Sequence, residues 1–178
     1  VEIPTDMWNE EVPEPLAYHP VAATRYGPDP IDVERAAAML AKAKRPVIYA
    51  GTGVHWARAW PQLQALAEML AAPVTTSLGG KSAFPEDHPL ALGSGGLAMR
   101  RGVRHFLDNA DVILGIGCSF TETNFGVKMP SGKKIIHATL DPDHLGKDIP
   151  IDIGLIGDAG LTMDGLIADL ATRIKKPR

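Results

Sequence analysis

The stretch Ala110–Phe120, Ala-Asp-Val-Ile-Leu-Gly-Ile-Gly-Cys-Ser-Phe, constrains the fold more than any other part of the chain. Val112, Ile113, Leu114 and Ile116 form an apolar run too short for an ordinary helix and rich in β-branched side chains. Such a run reads as a strand buried on both faces, as parallel strands are. Gly115 and Gly117 then allow the backbone to bend at the strand's end and allow a ligand to come close to it. In an open α/β sheet, ligands rest outside the carboxyl ends of the strands, where strand order reverses. The segment from Gly117 to Gly126 is therefore the first place to look for a site.

The rest of the chain supplies companions for that strand. Asp29-Pro30-Ile31-Asp32 starts a helix: Asp29 can cap it and Pro30 suits the first helical position. Val33, Ala36, Ala37, Leu40 and Ala41 recur at helical spacing until Arg45-Pro46 ends the pattern. Val47–Ala50 reads as a strand followed by a tight turn, Gly51-Thr52-Gly53. Pro61 marks the first turn of a second helix with Leu63, Leu66, Ala67 and Leu70 on its apolar side. Pro73–Ser77 is a second strand, ending at Gly79-Gly80-Lys81. Residues from Ser82 to Gly96 read as a long loop, and Ala98, Val103, Phe106 and Leu107 as a third helix ending by Asn109. After the Val112 strand come Lys134–Ala138 and Asp152–Ile156 as further strands. Gly157-Asp158 caps a last helix carrying Leu161, Leu166, Ile167, Leu170 and Ile174. Strands alternating with helices imply crossover connections and a parallel sheet. The expected fold is α/β: a doubly wound, mostly parallel five- or six-stranded sheet with helices on both faces.

Residues 1–29 stand apart from this pattern. Pro13, Pro15, Pro20, Pro28 and Pro30 exclude a regular helix and favour an extended connector. Val1-Glu2-Ile3-Pro4 reads as the end of a preceding strand, and the chain begins without Met, so we expect a fragment or excised domain. The division is residues 1–29 as the end of a preceding domain plus linker, and residues 30–178 as the α/β domain.

Composition removes several function classes. The net charge of −3, with no basic stripe, gives no support to nucleic-acid binding. No apolar run approaches the roughly 18 residues of a membrane-spanning helix, and no signal peptide is visible. Cys118 is the only cysteine, so no internal disulfide can form and a cytoplasmic location is expected. The histidines (His19, His55, His88, His105, His137, His144) show no metal-ligand spacing. His137, in a predicted strand, reads as a core residue, and Cys118 as a buried structural thiol rather than a nucleophile. Ser77, Ser94 and Ser119 lack a nucleophile-elbow context. Asp87-His88 sits among prolines and reads as a turn.

The glycine turns carry the remaining signal. Gly51-Thr52-Gly53, Gly79-Gly80, Gly93/Gly95/Gly96, Gly117 and Gly157-Asp158 fall at strand ends or in the loop that would cover them. There, main-chain amides can face an anion or a flat ring. Turns between strands and helices need glycine in any case, so the pattern suggests an ancestral nucleotide crevice without showing that it is in use. The Gly-x-Gly-x-x-Gly fingerprint that would open a first helix is absent.

Taken together, Lys44–Gly53, Ala72-Pro73-Val74, Gly80–Pro89 (Gly-Lys-Ser-Ala-Phe-Pro-Glu-Asp-His-Pro), Ala110–Gly117, Asp141-Pro142 and Gly157-Asp158 resemble the central domain of thiamine-diphosphate-dependent enzymes. The likeness is nearest to acetolactate synthase (acetohydroxyacid synthase) large subunits and runs from Val1 to about Leu170. It implies a Rossmann-like domain that serves as a structural and interface element. It also implies a parent enzyme that acts on a 2-keto acid, works as a homo-oligomer and binds thiamine diphosphate and Mg²⁺ through its amino- and carboxyl-terminal domains. The Gly-Asp-Gly motif of the latter does not occur in this sequence, so the chain alone is not expected to be catalytic. Within the family the central domain holds FAD, ADP or nothing.

Carried over position by position, the family's FAD contacts fall on Gly51, Thr52, Gly53, Ser77, Leu78, Gly95, Gly96 and Leu97. They continue at Gly117, Cys118, Ser119, Thr121, Thr123, Thr139, Leu140, Asp141, Gly157 and Asp158. Where the synthases have Gly-Ala-Arg-Phe-Asp-Asp-Arg, this chain has Gly117-Cys118-Ser119-Phe120-Thr121-Glu122-Thr123. Both arginines are gone, and Ser or Thr does not replace an arginine's charged fork on a pyrophosphate. The family's acid two residues before Asp141 is Thr139. The rival expectation is a free-standing nucleotide-binding or regulatory α/β module.

Overall fold

The structure is a computed structural model that describes residues 2, 4–12, 14–15, 19–96, 99–124 and 126–175. The strand expected at Val1–Pro4, the Leu97 and Ala98 positions and the basic end after Lys175 therefore lie wholly or partly outside the described residues.

The strands are β1 (Pro46–Ala50), β2 (Val74–Thr76), β3 (Ala91–Ser94), β4 (Val112–Ile116), β5 (Lys134–Thr139) and β6 (Ile153–Ile156). They form one six-stranded sheet in the order β3-β2-β1-β4-β5-β6. Every pairing is parallel. Strand order reverses between β1 and β4, which pair in register from Pro46 against Val112 to Ala50 against Ile116. All five residues of β1 and of β4 are buried, as expected for strands covered on both faces.

The helices are α1 (Pro30–Lys42), α2 (Gly53–Trp56), α3 (Trp60–Leu70), α4 (Arg101–Asn109) and α5 (Ala159–Arg173). Asp29 caps α1 by accepting the Ile31 N–H at 2.8 Å. One face of the sheet (Ile48, Leu114, Ile136, Leu155) packs on the apolar sides of α1, α3 and α5, through Leu40, Leu63, Leu66 and Met163. Among the described residues, α4 is the helix that covers the opposite face (Val47, Tyr49, Ile113, Ile135), through Val103 and Leu107, with Val127, Met129 and Ile149 from loops filling the remainder. At the amino ends of the strands, Asp111 accepts the main-chain N–H groups of Lys44 and Arg45 at 2.6 and 2.9 Å. That tie fixes the α1–β1 turn against β4.

Three expectations are corrected. The region from Ser82 to Gly96 is not wholly loop, because Ala91–Ser94 adds an edge strand. Its Ala-Leu-Gly-Ser sequence has no β-branched residue. It is held by Thr75 Oγ1 donating to the Gly93 carbonyl at 2.8 Å and by a Thr76–Ser94 hydroxyl pair at 3.0 Å. The turn after β1 runs on into the short helix α2. The alternation of strand and helix is also incomplete. Among the described residues, the β4–β5 connection has no helix, and the β5–β6 connection has only a 3-10 turn at Pro142–His144. Gly117, Gly126, Pro130 and Gly132 explain the first of these.

Candidate functional site

The site is built by interlocking the turns that leave β1 and β4. The ladder continues past both strands: the Gly51 N–H donates to Ile116 O at 2.9 Å and the Gly53 N–H to Gly117 O at 2.8 Å. A side chain on Gly51 would place its Cβ 2.2 Å from the Gly117 oxygen. Gly117 has φ +61°, the left-handed region that glycine tolerates. Gly115 does not bend the chain as expected. It lies inside β4, and its missing side chain makes room for the Phe120 ring, which would stand 2.2 Å from a Cβ there. Phe120 stacks on Tyr49 and meets His137 edge-on.

Above these turns lies a crevice of about 860 Å³, within the roughly 300–1,000 Å³ of small-molecule sites. The β1 and β2 ends contribute Gly51, Thr52, Gly53, Ser77 and Leu78, and the β3 end contributes Gly95. The β4 end contributes Gly117, Cys118, Ser119, Thr121 and Thr123, and the β5 end Thr139, Leu140 and Asp141. Those residues of the sequence-derived set therefore share one cavity. Gly96, Gly157 and Asp158 are not among its walls, and Leu97 is outside the described residues.

Asp158 has another task. It caps α5 by accepting the Gly160 and Leu161 N–H groups at 2.9 and 3.1 Å, and it pairs with Arg25 at 2.5 Å. Burial pushes its carboxyl pKa up, but Arg25 and the two amides outweigh this and leave it below the ordinary value. The α5 amino terminus is thus closed by the protein's own carboxylate.

The structure adds walls beyond the residues carried over by resemblance, of which Gly79, Phe120 and Gly126 fall in the glycine turn and the Gly117–Gly126 segment that the sequence marks and the others do not. Tyr26, Tyr49, Trp56, Gly79, Phe120, Gly126, Val127, Pro142 and His144 also line the cavity. Tyr26 belongs to the proline-rich arm. Its hydroxyl donates to Leu140 O at 2.9 Å, and its carbonyl accepts the Asp158 N–H at 2.8 Å. An isolated tyrosine in an irregular segment gives no periodic signal, and neither does Trp56 in a four-residue helix.

The electrostatics of the cavity differ in part from the expectation of amides facing an anion, since several of the wall amides are already bonded. The N–H groups of Gly51, Gly53, Gly95, Gly117 and Gly126 all donate to carbonyls within the fold. The Thr121 N–H donates to Ser119 Oγ at 3.2 Å and the Asp141 N–H to Thr139 Oγ1 at 3.2 Å. No lysine or arginine is among the described residues that line the cavity. Its ionisable side chains are the acid Asp141, the imidazole His144 3.6 Å from it, the Tyr26 and Tyr49 phenols and the Cys118 thiol. Burial pushes the Cys118 thiol up to about 12, so it stays protonated and is not a nucleophile. Asp87 and His88 form no dyad: His88 Nε2 meets Glu68 at 3.2 Å, and its ring packs edge-on against Phe84.

His137 is fully buried in β5. Its Nε2 donates to the Cys118 carbonyl at 2.8 Å, and its Nδ1 has no partner. Burial, aided by nearby His144, outweighs the Cys118 carbonyl and holds its pKa below the ordinary 6.5. The neutral form is therefore native. Stability should be intact above about pH 6.5 and should fall as the pH drops from there through the folded-state pKa. The check is the urea midpoint measured between pH 7.5 and pH 5. His137→Gln should flatten the decline, and an equal decline in the variant would remove His137 as its cause.

A parallel sheet whose order reverses once, with a glycine-turned crevice at that reversal, defines an α/β ligand-crevice domain. Residues 33–166 match the family model described as thiamine pyrophosphate enzyme, central domain, and the chain belongs to that family. It is 36% identical over 180 residues to a "Probable acetolactate synthase large subunit" of Methanocaldococcus jannaschii, covering 96% of this chain and 30% of that protein. It is 34% identical to a sulfoacetaldehyde acetyltransferase of Rhodobacter capsulatus, over 97% of this chain and 30% of that one. The crystal structure of benzoylformate decarboxylase from Polynucleobacter necessarius superposes with a TM-score of 0.69 at 28% identity, over 92% of this chain and 31% of that one. The chain thus spans about 30% of the length of the curated relatives it matches. No helix among the described residues is long and apolar enough to cross a membrane.

Proposed function

We propose that this chain is the central domain of a longer thiamine-diphosphate-dependent enzyme, acetolactate synthase-like, that makes or breaks a bond beside the carbonyl of a 2-keto acid. The observation that carries this reading is the central-domain match together with a coverage of only 30% in the synthase relative. Thiamine diphosphate, when bound to the parent, supplies the carbanion chemistry. The residues of this chain do not fit that group. Among the described residues there is no cluster of three or more His, Cys, Asp or Glu for a metal, and the sequence has no Gly-Asp-Gly. The role of the chain is to hold the flanking domains in place and carry subunit contacts. Residues 1–29 act as the connector and 30–178 as the domain. A cytoplasmic homo-oligomer binding Mg²⁺ belongs to the same reading.

FAD and ADP are the ligands that the resemblance attaches to the crevice. Their ring and ribose portions have counterparts in Trp56, Leu78, Thr139 and Asp141 on its walls. For their diphosphate no lysine or arginine is among the described walls, and the amides of Gly51, Gly53, Gly95, Gly117 and Gly126 are engaged within the fold, which leaves main-chain groups such as the Gly79 N–H to receive it. The reading is tested on the full reading frame. It should encode a glutamate-bearing domain before Val1 and a Gly-Asp-Gly…Asn domain after Arg178, and its product should turn over pyruvate with thiamine diphosphate and Mg²⁺. A frame that stops shortly after Arg178 without those domains would overturn it.

A further inference from the structure

We infer that residues Arg25–Pro28 are a releasable strap, held in a socket at the β6–α5 turn, and that its seating sets whether the crevice has its Tyr26 wall. The inference goes beyond the connector role given to residues 1–29 and does not depend on which reaction the parent performs. Two glycines shape the socket. A Cβ on Gly157 would stand 2.7 Å from Pro28 N, 2.8 Å from Pro28 Cδ and 2.9 Å from the Gly27 carbonyl carbon. A Cβ on Gly160 would stand 2.9 Å from Arg25 Nη2. Alanine suits a helix better than glycine, so the bare position in the first turn of α5 is explained by the guanidinium that rests on it. Asp158, between the two glycines, grips the strap twice. Its N–H donates to Tyr26 O at 2.8 Å, and its carboxylate pairs with Arg25 at 2.5 Å. A third fastening lies on the far side of the cavity mouth, where the Tyr26 hydroxyl donates to Leu140 O at 2.9 Å.

These fastenings are polar and lie at the surface. Residues 19–27 are all exposed, and the Arg25 side chain is 53% exposed. An exposed ion pair and a few surface hydrogen bonds hold weakly, and salt screens the pair. A segment with so little buried apolar surface opens locally, without global unfolding. Release also leaves the domain's own bonds in place. Asp158 still caps α5 through the Gly160 and Leu161 amides, and no strand uses the strap as a partner. The seated and released states therefore differ in the arm and in the Tyr26 wall of the cavity, while the sheet is common to both.

The test is limited trypsin digestion of the folded 178-residue chain, read by mass spectrometry. Residues 1–24 contain no Lys or Arg, so Arg25–Tyr26 is the first bond trypsin can cut. It should be cut at least about tenfold more slowly than in a free peptide of residues 19–30, because only the released state is a substrate. The rate relative to the peptide should rise between low and high salt. Gly160→Ala displaces the guanidinium and should bring the rate within about threefold of the peptide's, with a urea midpoint no lower than that of the unaltered chain. Asp158→Asn keeps a capping residue but loses the charge, and should remove most of the salt dependence. By hydrogen exchange, the Asp158 amide should lose protection in Gly160→Ala, while the Gly51 amide, bonded to Ile116, should keep it. Tyr26→Phe removes only the hydroxyl bond to Leu140; it replaces Gly160→Ala if that variant does not fold, and should speed cleavage severalfold. An unaltered chain cut as fast as the peptide would overturn the inference. So would full protection of both the Arg25–Tyr26 bond and the Asp158 amide in the folded variant.

Discussion

Replacing Gly51 with alanine is expected to destabilise the chain by about 3 kcal/mol, a large share of the ~5–15 kcal/mol that holds a typical domain together. The added Cβ would stand 2.2 Å from Gly117 O, 2.6 Å from Cys118 Cα and 2.7 Å from Cys118 Cβ. Two of these atoms are main chain and cannot swing aside. Relief requires β1 and β4 to part at their carboxyl ends, which breaks the Gly51–Ile116 and Gly53–Gly117 hydrogen bonds and opens the floor of the crevice. Gly102→Ala is the control: a Cβ there meets nothing within 4 Å, inside α4, and should be neutral or stabilising by up to about 1 kcal/mol. Urea unfolding followed by circular dichroism reads both. If Gly51→Ala unfolds at the wild-type urea concentration, the interlocked turns are not rigid as described.

Leu114→Ala should cost about 2–5 kcal/mol and lower the melting temperature by on the order of 10 °C. Leu114 sits mid-strand in β4, paired with Ile48 on one side and Ile136 on the other, and all three are fully buried on the face covered by α1, α3 and α5. Close-packed strands and helices on every side leave little room for collapse into the cavity, which favours the upper part of that range. Leu114→Met keeps most of the volume and should cost less than about 1.5 kcal/mol. Equal losses in the two variants would show that a specific strand geometry, rather than cavity formation, decides the effect.

The legibility of the fold followed the strength of local signals. The runs Val47–Ala50, Val112–Ile116 and Lys134–Ala138 are β-branched and wholly or largely apolar, and they became the buried strands β1, β4 and β5. Asp29-Pro30 and Gly157-Asp158 carry capping chemistry, and both start helices. β3 escaped notice because Ala91–Ser94 is a half-buried edge segment whose pairing comes from Thr75 and Thr76 on the neighbouring strand. α2 is too short to show a period. Within the site, the residues at strand ends were legible because sheet topology alone brings strand ends together. Which amides remain available was not legible, because that depends on partners far along the chain, such as Gly53 and Gly117. Tyr26 reaches the cavity from an irregular arm that no periodic pattern ties to the sheet.

That arm separates two boundaries that are usually taken as one. Truncation at Pro30 would keep every strand and the helices α1 to α5, so the shortened chain would retain the elements that make the sheet. It would also remove Tyr26 from the cavity wall and strip Asp158 of its Arg25 partner. The elements of the sheet thus lie within 30–178, whereas the complete crevice also needs Tyr26 of the arm. Any pull on the arm from the segment before it would be felt first at Leu140 and Asp158, where Tyr26 is fastened.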